Sequence, residues 1–169
     1  MLSLLVRRGG DDMSKICCFT GSRDIRKISY REVYLRLRKI LIELIEKEGF
    51  SDFRAGGARG FDTIAALCIM ELKATHPNIK LHLILPCKNQ DRFFAPRERA
   101  VYRALIEMAD SVTFLQEKYT SGVMHRRNRA LVDGSDLCVA LLQKSSGGTY
   151  QTVTYARSCG VKTVNIINI

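Results

Sequence analysis

Asp52-Phe53-Arg54-Ala55-Gly56-Gly57-Ala58-Arg59-Gly60-Phe61-Asp62 holds a strand, a tight turn and a helix start in one short stretch. Residues 52–55 read as a brief strand, the glycines as the turn, and Phe61 opens a helix lasting to about residue 74. The succession recurs near the other end. There the apolar run 137–142 leads through Ser145-Ser146-Gly147-Gly148-Thr149-Tyr150-Gln151-Thr152 into a helix that lasts to about Cys159. Glycine at such a junction lets the backbone approach a ligand, and the helix start supplies unpaired N–H groups and the positive end of its dipole. Two candidate anion cradles follow, although an ordinary strand-to-helix turn has the same look.

Between and around these units, short apolar runs alternate with longer amphipathic ones. Strands are expected at 16–20, 81–85, 111–115 and 163–167 in addition to the two already placed. In the first long helix, Ser29 is the expected N-cap with Glu32 three residues on. Val33, Leu37, Ile40, Leu41, Leu44 and Ile45 share one face, and Gly49 ends the helix. Helices are also expected over 97–108 and 124–132, with an irregular connection at 116–122. The run 137–142 is apolar throughout, as an interior parallel strand covered on both faces should be. The fold class is therefore α/β: a single Rossmann-like, doubly wound domain over 15–169, with a mostly parallel sheet of about six strands and helices on both faces. In such sheets ligands bind beyond the carboxyl ends of the strands where strand order reverses. Placing the strand at 16–20 between those at 52–55 and 137–142 would bring the loops at Thr20-Gly21-Ser22-Arg23, Gly56-Gly57 and Gly147-Gly148-Thr149 together.

Composition bounds the alternatives. A chain of 169 residues, 46% hydrophobic and 26% charged, is long enough for one core and has no segment of the ~20 apolar residues a membrane helix needs. The apolar stretch in Met1-Leu2-Ser3-Leu4-Leu5-Val6-Arg7-Arg8 is too short for a secretory signal, and its positive charges follow it. Residues 1–14 are read as an N-terminal extension, and a cytoplasmic location is expected. The six cysteines, Cys17, Cys18, Cys68, Cys87, Cys138 and Cys159, show no metal-ligand spacing and read as buried thiols, so no metal site is expected. His76, His82 and His125 are scattered and form no recognisable nucleophile signature, a strand histidine such as His82 being more often structural. The net charge of +10 favours a polyanion or serves solubility; without tryptophan or an aromatic-rich basic tract, nucleic acid is the second choice of partner.

Taken in order, Thr20-Gly21-Ser22-Arg23, Gly56-Gly57-Ala58-Arg59-Gly60-Phe61-Asp62, Arg127-Asn128-Arg129 with Val132-Asp133, and Ser146-Gly147-Gly148-Thr149 resemble the SLOG superfamily of Rossmann-like proteins. That group includes the DNA-processing protein DprA, the LOG phosphoribohydrolases and the YpsA-like proteins, and the YpsA-like branch fits best. The resemblance spans nearly everything from Lys15 to Ile169 and implies a nucleotide or nucleotide-derived ligand across the glycine loops. The ligand-binding residues expected on this basis are Gly21, Ser22, Arg23, Gly56, Gly57, Ala58, Gly60, Asp62, Arg127, Asn128, Arg129, Ser146, Gly147, Gly148, Thr149 and Thr152. The hydroxyls of Thr149 and Thr152 would add donors at the helix start, and Ser22 and Arg23 would reach the same anion, the arginine through its two-pronged guanidinium. Asp62 either accepts a sugar hydroxyl or simply complements the helix dipole. Arg127, Asn128 and Arg129 would project toward one sheet edge, with Arg97 and Glu98 as weaker candidates. LOG proteins carry acidic residues two and three positions after the threonine of the second glycine motif; here those positions hold Gln151 and Thr152, neither of which can act as a general base. A nucleotide-binding sensor or carrier module is thus the expected function. A nucleoside monophosphate phosphoribohydrolase and DprA-like single-stranded DNA binding stand as alternatives, no cofactor beyond the nucleotide is expected, and self-association stays open.

Overall fold

The computed structural model describes residues 14–169. Most of the expected N-terminal extension, residues 1–13, lies outside the described residues. The first strand, β1 (Lys15–Gly21), is buried on both faces over Cys17, Cys18, Phe19 and Thr20, as a central strand must be. It is followed by α1 (Tyr30–Glu48), β2 (Phe50–Ala55), α2 (Phe61–Leu72), β3 (Lys80–Leu85) and a short 3-10 turn at Gln90–Phe93. Then come α3 (Pro96–Met108), β4 (Ser111–Phe114), α4 (Val123–Val132), β5 (Leu137–Leu141), α5 (Gly148–Ser158) and β6 (Lys162–Asn165). The sheet order is β4-β3-β2-β1-β5-β6, every pairing is parallel, and the order reverses between β1 and β5. The protein is therefore an α/β Rossmann-like domain with β1 between β2 and β5, as the sequence pattern implies.

Local chemistry explains the helix bounds. The Ser29 hydroxyl accepts from the Glu32 N–H at 3.1 Å and caps α1, while Gly49 at φ +76° returns its N–H to the Leu44 carbonyl. Val33, Leu37, Leu41 and Leu44 of α1 bury the expected stripe, with Ile40 and Ile45 packed at its edge. Each fully buried leucine of this kind contributes roughly 1.5–3 kcal/mol. The helices α1, α2 and α3 pack side by side over one face of the sheet, where Phe19, Phe53 and Phe61 form the centre of the larger core. On the other face α4 and α5 cover Cys18 and Cys138 with Leu131, Val132 and Ala156. Alternation along β1 sends Phe19 to one layer and Cys18 to the other.

Strands start one or two residues before the expected positions in β2 and β3. The last strand is shorter than expected, since 166–168 close into a 3-10 turn. The Asn165 side chain causes that ending: its Oδ1 accepts from the Leu142 and Ile167 N–H groups and its Nδ2 donates to the Leu142 carbonyl, so the ladder gives way to side-chain bonds. Five of the six cysteines are buried thiols, but Cys159 is exposed because it follows the last turn of α5 on the surface. No helix among the described residues is long and apolar enough to cross a membrane.

Candidate functional site

A cleft of about 450 Å³ opens at the carboxyl ends of the strands, at the β1/β5 reversal point. Its walls are the loop after β1, with Gly21, Ser22, Arg23 and Asp24; one side of α4, with Met124, His125, Arg127 and Asn128; and the turn into α5, with Lys144, Ser146, Gly147, Gly148 and Thr149. Ala58 and Asp62 reach it from the first glycine loop. The three loops expected to converge do converge, because parallel strands deliver all their following loops to one edge of the sheet.

The two glycine turns differ inside that frame. Gly56, Gly57 and Gly60 of the first turn are packed against protein. A Cβ on Gly56 would collide with the Arg127 guanidinium and stand 2.9 Å from Asp62 Oδ2, and one on Gly57 would stand 2.5 Å from Leu85. On Gly60, at φ +77°, a Cβ would meet the backbone carbonyls of Ser22 and Arg23. In the second turn, a Cβ on Gly147 would meet nothing within 4 Å, and one on Gly148 only the Asn128 Nδ2, at 3.9 Å. The helix starts differ in the same sense. The first turn of α2 carries Asp62, and the Phe61 N–H donates to the Ser22 carbonyl at 3.2 Å. The first turn of α5 has no acidic residue and no side-chain cap.

Arg127 and Asp62 form a buried ion pair, Nη1 to Oδ2 at 3.6 Å, with each side chain about one-twentieth exposed. Arg127 Nη1 also donates to the Gly56 carbonyl and its Nε to Asn128 Oδ1 at 2.9 Å, while the Ala58 N–H donates to Asp62 Oδ2 at 3.4 Å. Burial pushes the Asp62 carboxyl up from its usual range, against the pull of the Arg127 charge and the backbone N–H groups. The same burial pulls Arg127 down, opposed by Asp62. Neither reading of Asp62 as a sugar acceptor or as a dipole partner includes this pair, whose first partner is Arg127 across the loop.

The other expected residues that do not line the main cleft are Arg129, Thr152, Gly56, Gly57 and Gly60. Arg129 does not enter the main cleft: it lies on a flanking depression of about 310 Å³ and stacks its guanidinium 5.1 Å from the centre of the Tyr155 ring. Residues two apart on a helix point to different sides, so Arg127 and Arg129 cannot share an edge. The Thr152 hydroxyl is buried and donates to the Gly148 carbonyl at 2.8 Å, one helical turn back, so it offers nothing to the helix start. Gly56, Gly57 and Gly60 shape the first loop from behind without lining the cleft. Of the weaker candidates, Arg97 is exposed, and Glu98 accepts from the Ala95 N–H at 2.9 Å and lies 3.7 Å from Arg59.

Gln143, Lys144 and Asp24 line the cleft without having stood out in the sequence. Gln143 fixes one wall. Its Oε1 accepts from the Arg26 and Lys27 N–H groups, both at 3.0 Å, and its Nε2 donates to the Asp24 carbonyl at 2.9 Å. A polar pair closing the most apolar strand was the available signal. His82 links Asp52 at 2.6 Å to Ser111 at 2.7 Å across three strands, but in their amino-terminal halves, away from the cleft.

The YspA SLOG family matches residues 22–162, which include these loops from Ser22 onward. This chain belongs to the YspA SLOG family. Family relatives include the SPbeta prophage-derived protein YoqJ of Bacillus subtilis, 30% identical over 134 residues, a match spanning 72% of this chain and 78% of that protein. The UPF0398 protein BH1768 of Halalkalibacterium halodurans is 31% identical over 111 residues, 64% of this chain and 58% of that protein. Among solved structures, DNA processing protein A of Streptococcus pneumoniae shares the fold with a TM-score of 0.62 at 18% identity, over 89% of this chain and 49% of that one. DNA processing protein A of Helicobacter pylori, described by its single-stranded DNA binding mode, gives 0.60 at 18% identity, over 88% of this chain and 63% of that one. The chain thus spans 49% and 63% of these two DNA-processing proteins.

Proposed function

We propose that this family member is a binding module for a nucleotide or nucleotide-derived ligand, whose phosphate sits on the amino terminus of α5 at Gly147-Gly148-Thr149. The supporting observation is the emptiness of that turn. Its glycines face open space, its helix start has neither cap nor acid, and Arg23 and Lys144 border the same cleft. The reading requires no catalytic base. Gln151 lines the cleft where a LOG enzyme has an acidic residue, and Asp62 is engaged by Arg127 and the Ala58 N–H. Thermal-shift screening against nucleotides, followed by chromatography of each hit for released free base, tests it. A stabilising ligand recovered intact is the expected result; free base from a nucleoside monophosphate would make the protein a hydrolase, with Asp62 the first suspect.

Single-stranded DNA is the second reading, favoured by the net charge of +10 and by the fold shared with DNA processing protein A. If it holds, oligonucleotide affinity falls steeply with salt as phosphate contacts release counterions. An absence of measurable DNA affinity at low salt removes it.

A further inference from the structure

A second cleft, of about 270 Å³, adjoins the first and shares Arg23, Ala58 and Met124 with it. It lies at the carboxyl ends of β3 and β4, built by the loops that follow those strands, so it extends the ligand edge of the sheet away from the β1/β5 reversal point. Its lining has a different chemistry. Phe93, Phe94 and Tyr119 bring three aromatic rings, and Phe93 is 81% and Tyr119 47% exposed. The Arg92 guanidinium stands 4.8 Å from the centre of the Phe93 ring and 4.6 Å from that of Tyr119, and it has no carboxylate partner among the described residues. A hydrogen bond holds the two loops together, from the Tyr119 N–H to Asn89 Oδ1 at 3.0 Å. A phenylalanine left this open to water, beside an unpaired guanidinium, is a surface that a flat π system would cover well.

We infer that this second cleft is a stacking subsite for a planar heteroaromatic ring, and that the ligand therefore carries a second base beyond the phosphate held at α5, as a dinucleotide does. The inference rests on the nucleotide reading of the first cleft. Arg23, common to both clefts, is placed to engage the bridging phosphates, and the ring beyond them lies against Phe93, Arg92 and Tyr119. A long single strand fits less well. Beyond Arg23, Arg59 in this cleft is already opposed by Glu98 at 3.7 Å and Arg92 lies over the Phe93 and Tyr119 rings, so neither stands free for a phosphate backbone running on past them.

The test measures affinities of the full chain, by calorimetry, for the four common ribonucleoside monophosphates and for the dinucleoside diphosphates made by joining them in pairs. An oligothymidylate is the polymer control. The best dinucleotide is expected to bind at least about tenfold tighter than the best mononucleotide, one stacked base being worth that much. Phe93→Ala combined with Tyr119→Ala should abolish the gain while leaving mononucleotide affinity and the melting temperature unchanged, since both rings are exposed. Equal affinity for one base and two, or a gain that survives the double substitution, overturns the stacking subsite and leaves the first cleft standing. No binding of any nucleotide overturns both. Oligothymidylate binding that exceeds that of every dinucleotide and falls with the double substitution overturns the inference in favour of a nucleic-acid track.

Discussion

The two glycine turns share a sequence grammar and have opposite environments. At 56–60 the absence of side chains is used up by the protein: Arg127, Leu85 and the backbone of 22–23 occupy the space, and Asp62 neutralises the helix start. At 147–148 the absence of side chains is left open to the cleft, at a helix start without acid or cap. A glycine-rich strand-to-helix junction thus tells only that something comes close to the backbone. In the first turn that something is the chain itself, and in the second the space stays open to the cleft. Asn128 connects the two, accepting from Arg127 and presenting its Nδ2 toward Gly148.

Substitutions can break this contrast, and the largest effect should come from Arg127→Ala. It strands Asp62 in a buried site and should cost about 3–5 kcal/mol in urea denaturation; a cost under about 1 kcal/mol would mean the first loop does not depend on the pair. Next come Gly60→Ala and Gly147→Ala, which suffer comparable backbone strain at φ +77° and +88°. Only the first also drives a Cβ into the Ser22 and Arg23 carbonyls. Gly60→Ala should therefore be the less stable of the two by about 1–3 kcal/mol in the same denaturation experiment. Equal losses would erase the difference in packing.

A smaller pair avoids positive φ altogether. Gly56→Ala must displace the buried guanidinium and should destabilise by about 1–3 kcal/mol. Gly148→Ala sits in open space at a helix start and should stabilise by about 0.4–1 kcal/mol, through loss of freedom in the unfolded chain. Opposite signs in thermal melts are the sharpest form of the contrast, and like signs would refute it. The smallest change in stability belongs to Gly148→Glu, within about 0.5 kcal/mol of the parent. That substitution should nonetheless eliminate nucleotide binding, because its carboxylate enters the anion position. Retained binding would move the cradle elsewhere.

The element order was readable because its signals are local. Val33, Leu37, Leu41 and Leu44 repeat at helical spacing, Ser29 and Gly49 mark the ends of the same helix, and Leu137 to Leu141 carry no polar residue, as a strand buried on both faces requires. From that order, and the rule that parallel strands gather their following loops at one edge, the convergence of Ser22, Ala58 and Gly147 also followed. Arg127 illustrates what did not follow. In the run His125-Arg126-Arg127-Asn128-Arg129 nothing local distinguishes it, yet it alone of the three arginines is buried, while Arg129 lies against Tyr155. Phe93 and Tyr119 likewise share a cleft, and the Arg92 guanidinium, only because the loops after β3 and β4 lie side by side.

The sequence by itself determined the α/β class, the number of strands and their order along the chain, the caps of the first helix and the family, since periodicity, capping and short motifs act within one turn or one strand of the chain. The tertiary structure alone decided which glycine turn faces a cleft, which arginine pairs with Asp62 and which aromatic rings share a surface. Those outcomes depend on contacts between residues tens of positions apart, and burial assigns them only after the sheet has set its neighbours.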